Sequence, residues 1–244
     1  MCDISRIESY LREIVTRYQP SIQPIHLFFS YYHDAVPERT AEIDLCLLMN
    51  TLNPLFTKIF IFNETRHPLE LVTPSDRITV IESSRLTFNR FFKFANTQTT
   101  EETINIVINT DIVIGENFDQ LKLERNQAIC LSRHDFKENG TVEIAVGGGS
   151  HDCWIWKGHI SENLGRFYMG KFLCDGVLAH ELSTCGYSLK NPVHGLMIYH
   201  IHMSNIRNYG NHDRALGHRN GVNFSQHDGV FKPEDVYYEG LNIY

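Results

Sequence analysis

The first half of the chain alternates between short apolar runs and helically spaced apolar positions. Residues 4–18 carry apolar side chains three or four positions apart, which predicts an amphipathic helix that docks on the domain. Further helices are predicted at 37–52 and 86–96, apolar strands at 25–32, 58–64 and 77–83, and a fourth strand within 103–114. Short buried strands that alternate with helices predict an α/β fold, with a mostly parallel central sheet flanked by helices.

The second half is less regular. Two apolar runs, at 128–136 and 142–146, surround a Glu-Asn-Gly turn and predict a hairpin, so we expect a small antiparallel part here. Three more elements follow, namely an aromatic strand within 146–158, a helix over 175–186 and a strand over 195–203. Without a repeat or a clear linker, the chain is expected to form a single domain.

Charge and composition limit the kinds of molecule that the chain is expected to bind and the compartment in which it is expected. The 244 residues carry a formal net charge of −7, which argues against nonspecific binding to nucleic acid or to an anionic membrane. No apolar run approaches the ~20 residues that span a bilayer, and the charged N-terminus lacks the apolar core of a secretory signal. The cysteines show no Cys-x-x-Cys spacing and favour reduced thiols. We therefore expect a cytoplasmic protein with no transmembrane segment.

Polar residues follow the strands of the first half. In a parallel α/β sheet, ligands bind at the carboxyl ends of strands, near the point where the strand order reverses. Ligand contacts are therefore expected from Ser30, Tyr32, Arg85, Asn109 and Asp111. Asp111 is a candidate ligand of a hard divalent cation, because Mg²⁺ and Mn²⁺ prefer oxygen ligands. Its alternative role is that of a turn former or helix cap.

Two histidines lie two positions apart in the last predicted strand. His200 and His202 would point to the same face of an extended chain, so both are candidate metal ligands. Neutral imidazole suits Mn²⁺ as well as Zn²⁺. The alternative is a structural role for each histidine. A structural zinc site would need four ligands at close spacing, and no cysteine lies near enough in sequence to supply them.

Two aspartates are candidates for a general base. Asp175 begins a predicted helix, where it either caps the backbone or takes a proton from an acceptor hydroxyl. Asp152 is the second candidate, and its alternative role is a polar turn. Trp154 and Trp156 share one face of their strand and are expected either in the core or stacked on a sugar or base of the ligand.

The order of these motifs resembles that of glycosyltransferases of the GT-A fold, the nucleotide-diphospho-sugar transferase fold. The matching segments are NTD at 109–111, HDCWIWKG at 151–158, CDGVLAHELSTCGYSLKNP at 174–192 and HIHMS at 200–204. In that fold a strand-end D-x-D motif holds the metal and the donor diphosphate. A later acidic pair opens a helix that ends in Gly-Tyr, before a Pro and a His. Asn109 stands at the first acid of D-x-D, and Cys174 at the first residue of the acidic pair.

The resemblance implies a single GT-A-like domain that moves a sugar from a UDP- or GDP-linked donor to a hydroxyl of a glycan or another acceptor, with inversion. It implies that Asp111 and His200 or His202 bind Mn²⁺ or Mg²⁺, and that Asp175 is the base. The expected parts within 1–244 are an amphipathic helix (1–20), a nucleotide-sugar-binding half (25–125), an acceptor and catalytic half (126–209) and a C-terminal tail (210–244).

Two other classes remain open on the residues alone. One is a nucleotide-sugar-binding protein without catalysis, which the imperfect Asn109-Thr-Asp111 motif would suit. The other is a metal-dependent hydrolase built on His200, His202 and Asp175. The glycines at 147–149 lack the spacing of dinucleotide-binding and P-loop motifs, and no Gly-x-Ser-x-Gly motif is present, so the classes that use those motifs are not indicated.

Overall fold

Two sheets and four α-helices make up the described part of the chain, which a computed structural model gives for residues 4–65, 67–137, 141–145, 150–206 and 215. The helices are α1 (Ile4–Thr16), α2 (Pro37–Leu52), α3 (Phe88–Gln98) and α4 (Cys174–Thr184). The main sheet contains β1 (Ile25–Tyr31), β2 (Lys58–Asn63), β3 (Ile78–Glu82), β4 (Ile104–Ile108), β6 (Gln127–Leu131), β9 (Cys153–Lys157) and β10 (Ser188–Lys190). The small sheet contains β5 (Ile112–Ile114), β7 (His134–Phe136), β8 (Val142–Ile144) and β11 (Ile198–His200).

The main sheet has the strand order β10-β6-β9-β4-β1-β2-β3. Its neighbouring strands are parallel except at β9, which runs antiparallel to β4 on one side and to β6 on the other. The predicted α/β class, with a mostly parallel sheet, is therefore confirmed. The chain passes from β1 to β2 and β3 on one side and then returns to β4 on the other. The strand order thus reverses between β1 and β4, where open α/β sheets bind ligands.

Two of the apolar runs, 103–114 and 128–136, each contain two strands where the sequence indicated one. The run 103–114 forms two strands, because the chain leaves the main sheet after β4 and enters the small sheet as β5, paired antiparallel with β11. The run 128–136 divides in the same way into β6 and β7. All four pieces are largely buried, so their apolar pattern continues across each break and does not reveal the change of sheet.

The small sheet contains the predicted hairpin, since β7 pairs antiparallel with β8, and it also contains one parallel pair, β11 with β7. The final predicted strand is shorter than expected and covers only Ile198–His200. The turn at 138–140, the glycines at 147–149 and, apart from Ala215, the predicted tail at 210–244 lie outside the described residues. No helix in the described part of the chain is long and apolar enough to cross a membrane.

Amphipathic faces seat the helices on the sheets. The predicted N-terminal helix is confirmed as α1, which buries Ile7, Leu11, Ile14 and Val15 in a cluster with residues of α2 and the small sheet. Helix α3 begins after Thr87, whose side chain accepts a hydrogen bond from the Arg90 N–H.

The two tryptophans of β9 belong to the core between α3 and the main sheet. Each is 1% exposed. The ring of Trp154 meets Phe88 edge to face with centroids 4.7 Å apart, and Trp156 meets Phe92 in the same way at 5.2 Å. The prediction that Trp154 contacts a ligand is therefore wrong, because its indole is enclosed by α3, and the alternative role in the core is confirmed.

The packing of Trp154 predicts the effect of removing it. Trp154→Ala should lower the free energy of unfolding by about 3–5 kcal/mol, since it deletes a large buried ring and leaves a cavity. Urea denaturation measures this loss, with Tyr168→Ala as the control because Tyr168 is 44% exposed. Equal stability of Trp154→Ala and the wild type would contradict the placement of Trp154 in the core.

Candidate metal and acid–base site

Charged side chains converge where the strand order reverses. Tyr32 directly follows β1, Arg39 lies in the first turn of α2, and Asp111 lies in the break between β4 and β5. His200 ends β11, which pairs with β5, so the small sheet brings it to the Asp111 side chain. The predicted strand-end ligands and the predicted histidine therefore meet at one place.

Asp111, His200 and His202 form a group that we call the candidate metal triad. One possible ligand atom from each residue lies within 4.8 Å of the other two. The His200 Nδ1 atom is 2.8 Å from Asp135 Oδ1, and its Nε2 atom faces Asp111 Oδ2 at 3.2 Å. The His202 Nε2 atom is 2.7 Å from the carbonyl oxygen of Ile206.

These contacts fit a divalent cation. A carbonyl oxygen only accepts hydrogen bonds, so His202 donates from Nε2 and its Nδ1 atom carries the lone pair. In neutral His200, a hydrogen bond from Nδ1 to Asp135 likewise leaves Nε2 as the atom that could coordinate, on the side of Asp111. Outer partners that hold the second ring nitrogen are the usual means of orienting a metal-binding histidine. One carboxylate and two imidazoles suit Mn²⁺.

The triad is part of a chain of alternating charges, here called the alternating-charge network. Its members, in order of contact, are Glu42, Arg39, Asp111, His200, Asp135, Arg133 and Asp152. Arg39 Nη1 lies 2.9 Å from Glu42 Oε2, and its Nη2 pairs with Asp111 Oδ2. Arg133 lies 2.8 Å from Asp135 through Nε and 2.9 Å from Asp152 through Nη1.

The network controls the protonation of its members. Burial alone would lower the pKa of His200, but the carboxylates of Asp111 and Asp135 overcome it and raise the pKa to about 9. Burial alone would raise the pKa of Asp111, but His200 and Arg39 hold it well below its usual range. Burial would also raise the pKa of Asp135, but His200 and Arg133 lower it to about 2.

Asp175 lies at the edge of this network, on α4. Residue Leu173 occupies the N-cap position, so the prediction of Asp175 as the capping residue itself is wrong by two positions. The Asp175 carboxylate still accepts hydrogen bonds from the N–H groups of His151 (3.1 Å) and Gly176. Burial raises the pKa of Asp175 to about 6 against these hydrogen bonds, and the charge of nearby Asp152 adds to the increase.

Asp152, the second predicted base, is already engaged. Its Oδ1 atom accepts from Asn109 Nδ2 at 2.6 Å, and its Oδ2 atom accepts from Arg133. The residue is 6% exposed. Asn109 therefore binds Asp152 through its amide nitrogen, while its amide oxygen is buried and makes no hydrogen bond within the described residues. Ligand binding by Asn109 stays a prediction.

The three other residues predicted to contact a ligand lie in two places: Tyr32 borders the network, whereas Ser30 and Arg85 lie near Glu64. Tyr32 accepts a hydrogen bond from Arg39 and lies near Asp111, so it borders the network. Ser30 donates to the Glu64 carboxylate, which the charge of Arg85 also stabilises. Arg85 in addition donates from Nε and Nη2 to the carbonyl oxygen of Met169, at 3.2 and 2.9 Å. Ligand binding by Ser30, Tyr32 and Arg85 stays a prediction.

Four residues that join these groups, Arg39, Glu42, Asp135 and Arg133, were not among the predicted site residues. Arg39 and Glu42 lie in a helix whose apolar spacing indicated only packing, although both are almost fully buried. Asp135 and Arg133 were included in one long strand that is in fact two. The available signal was the placement of charged residues inside apolar runs, where an unpaired charge would be costly and a partner is required.

Comparisons with known proteins add little to this site. No protein-family model matches the chain, and no curated protein matches it. A matching solved structure is titled "Crystal structure of GalNAc-T7 with UDP, GalNAc and Mn2+". The two sequences are 10% identical, and the TM-score is 0.49. The match covers 76% of this chain and 45% of the other, so this chain spans under half the length of that protein. A likeness at this level carries no argument about chemistry.

The raised pKa of His200 predicts a pH-dependent contribution to stability. The histidine is protonated more readily in the folded chain than in the unfolded chain, so its contribution is complete below about pH 6.5 and is lost as the pH rises through about 9. In metal-free protein, the excess stability of the wild type over His200→Gln should therefore fall by on the order of 3 kcal/mol between these pH values.

Urea denaturation at several pH values measures this difference, and subtraction removes groups that titrate alike in both proteins. His159→Gln is the control, because the His159 side chain is 48% exposed. A difference between the wild type and His200→Gln that does not change with pH would contradict a charged His200 in the network.

Proposed function

We propose that this chain is a glycosyltransferase of the GT-A type, which moves a sugar from a UDP- or GDP-linked donor to an acceptor hydroxyl. One observation carries the proposal. The candidate metal triad belongs to a buried network of charges, and Asp175, a carboxylate whose pKa is raised to about 6, lies near Asp152 at one end of that network. Transfer from a nucleotide diphosphate requires both a cation site and an acid–base group.

The residues divide the work in this proposal. Asp111, His200 and His202 would hold a divalent cation, which supplies positive charge for the departing diphosphate when bound. Asp175 accepts the proton of the acceptor hydroxyl as the acceptor oxygen bonds to the anomeric carbon. On the opposite face of that carbon, the bond to the diphosphate oxygen breaks and its electron pair leaves with the nucleotide. Attack from the opposite face gives inversion.

Asp175 is the better base of the two aspartates. A general base works best when its pKa lies close to the operating pH, and burial moves the pKa of Asp175 in that direction, to about 6. Asp152 is paired with Arg133 and Asn109 and lacks a free oxygen to take a proton. We therefore assign Asp152 to the positioning of Arg133 and Asn109 and to the charge felt by Asp175.

The hydrolase alternative now has a different set of metal ligands. It required His200, His202 and Asp175 as one metal group, but in the described residues both histidines lie with Asp111. Asp175 then keeps the same role as a base, and hydrolysis differs from transfer only in using water as the acceptor. The acceptor assay below separates these two outcomes.

The assignment of Asp175 predicts an active-site variant with a specific defect. Asp175→Asn should reduce transfer by about 10²–10⁴-fold and leave the affinity for the donor nearly unchanged, because the amide cannot take the proton. In the wild type, the rate should rise with pH to a plateau above about 6, as the carboxylate ionises. Steady-state assays with a pool of hydroxyl acceptors measure both effects.

The matched control is Asp76→Asn, because Asp76 is exposed on the loop before β3. Release of free sugar at the same rate with and without acceptors would favour the hydrolase. Loss of donor binding in Asp175→Asn, together with loss of fold, would favour a purely structural role for the carboxylate.

The triad predicts that donor binding depends on metal. In a thermal-shift panel of UDP-, GDP-, dTDP- and CMP-linked sugars, one donor should stabilise the protein with Mn²⁺, by about 2.7 kcal/mol at 100 times its dissociation constant. Asp111→Asn should remove the effect of Mn²⁺. Stabilisation that is the same without metal would argue against the triad as a cation site, and a folded protein that responds to no donor would argue against the transferase.

A further inference from the structure

A buried arginine, Arg39, pairs with the Asp111 carboxylate, which the candidate metal triad would use to bind a cation. Arg39 is 4% exposed, and its Nη2 atom pairs with Asp111 Oδ2, the same oxygen that faces His200 Nε2. The Nη1 atom of Arg39 is held separately, by Glu42 Oε2 at 2.9 Å and by the carbonyl oxygen of Ile201 at 3.0 Å. The two ends of the guanidinium thus have different partners.

The Nη1 end is anchored to the surrounding structure. Glu42 is one turn further along α2, and it also accepts hydrogen bonds from the Ser204 N–H at 2.6 Å and the Ser204 hydroxyl at 3.0 Å. Arg39 and Glu42 together therefore fasten α2 to the segment 201–204, which contains His202. These contacts fix the position of the guanidinium, and they do not depend on what binds Asp111.

The Nη2 end is the part that a cation would change. A divalent cation bound by Asp111 needs the oxygen charge that Arg39 now neutralises, and two positive charges in contact with one carboxylate oppose each other. When Asp111 coordinates a cation, Nη2 loses the carboxylate that balances its charge while the guanidinium stays in place. A buried guanidinium that loses a carboxylate partner is costly, so the arrangement is favoured when another anion takes the vacated position.

We propose that Arg39 is a further binding residue of this site, which competes with the divalent cation for Asp111 and, once displaced, binds the diphosphate of the donor. The inference rests on the proposed function and deepens it. A guanidinium suits this role because its planar fork matches phosphate oxygens and its charge is permanent. Tyr32, which accepts a hydrogen bond from Arg39, also lies near Asp111.

The test measures the affinities for cation and for diphosphate separately. The affinity for Mn²⁺ alone is obtained from the paramagnetic resonance signal of free Mn²⁺. The affinities for UDP, GDP and inorganic pyrophosphate at saturating Mn²⁺ are obtained by calorimetry. The proteins are the wild type, Arg39→Gln, Arg39→Lys and the control Arg12→Gln, whose arginine is exposed on α1 and pairs with Glu8.

Opposite changes are expected in Arg39→Gln. Its affinity for Mn²⁺ should rise by about tenfold, since a competing charged hydrogen bond is removed, and its affinity for the diphosphates should fall by about tenfold or more. A loss of both affinities would overturn the inference, because it would show that Arg39 only supports the fold. Unchanged affinities would also overturn it. Arg12→Gln should behave as the wild type.

Arg39→Gln removes a charged partner from both Glu42 and Asp111, and this loss can prevent folding. Arg39→Lys then provides the test. Lysine keeps the charge but not the fork, so the affinity for Mn²⁺ should stay near that of the wild type while the affinity for the diphosphates falls. Wild-type affinity for both ligands in Arg39→Lys would overturn the inference. A wild type that binds neither Mn²⁺ nor any diphosphate would overturn the proposed function as well, whereas the other outcomes bear on Arg39 alone.

Discussion

Seven charged side chains lie in alternating order along the junction of the two sheets, from Glu42 to Asp152. Each interior member contacts a residue of opposite charge on either side, and this is what makes its removal from water tolerable. The contacts join α2, the break after β4, the end of β11, β7 and the residue before β9. Loss of an interior member would remove one charged partner from each of its two neighbours, so the site and the junction of the sheets depend on the same interactions.

The same alternation explains why carboxylates close together have different properties. Asp111 and Asp135 each lie between two cationic partners, which hold their pKa values low. Asp175 lies beyond the end of the network, where burial raises its pKa and the like charge of Asp152 adds to the increase. One arrangement thus yields ionised carboxylates suited to a cation and one carboxylate suited to proton transfer, as in enzymes that place acids in contrasting environments.

Unusual backbone conformations border the site on two sides. Leu173, directly before α4, has φ 68°, and Asn205, shortly after His202, has φ 54°. Leucine rarely adopts such a conformation, which costs of order 1 kcal/mol or more and persists only where the surrounding structure enforces it. At Leu173 this conformation starts α4 at the place where the Asp175 carboxylate meets the His151 N–H.

Local patterns determined the elements of this protein. Apolar periodicity gave the helices and most strands, because the spacing of side chains along a helix or strand is a property of a few successive residues. The rule for strand ends and the two-residue spacing of His200 and His202 made Asp111 and the histidines separate candidate ligands, and only the resemblance to GT-A glycosyltransferases implied that they lie together. The tertiary structure alone decided the rest. The division of the two long strands, the burial of Trp154 under α3 and the partners of Arg39, Arg133 and Asp135 all depend on contacts between residues far apart in the chain. Neither hydrophobicity nor spacing within a segment records which distant charge a buried arginine will meet.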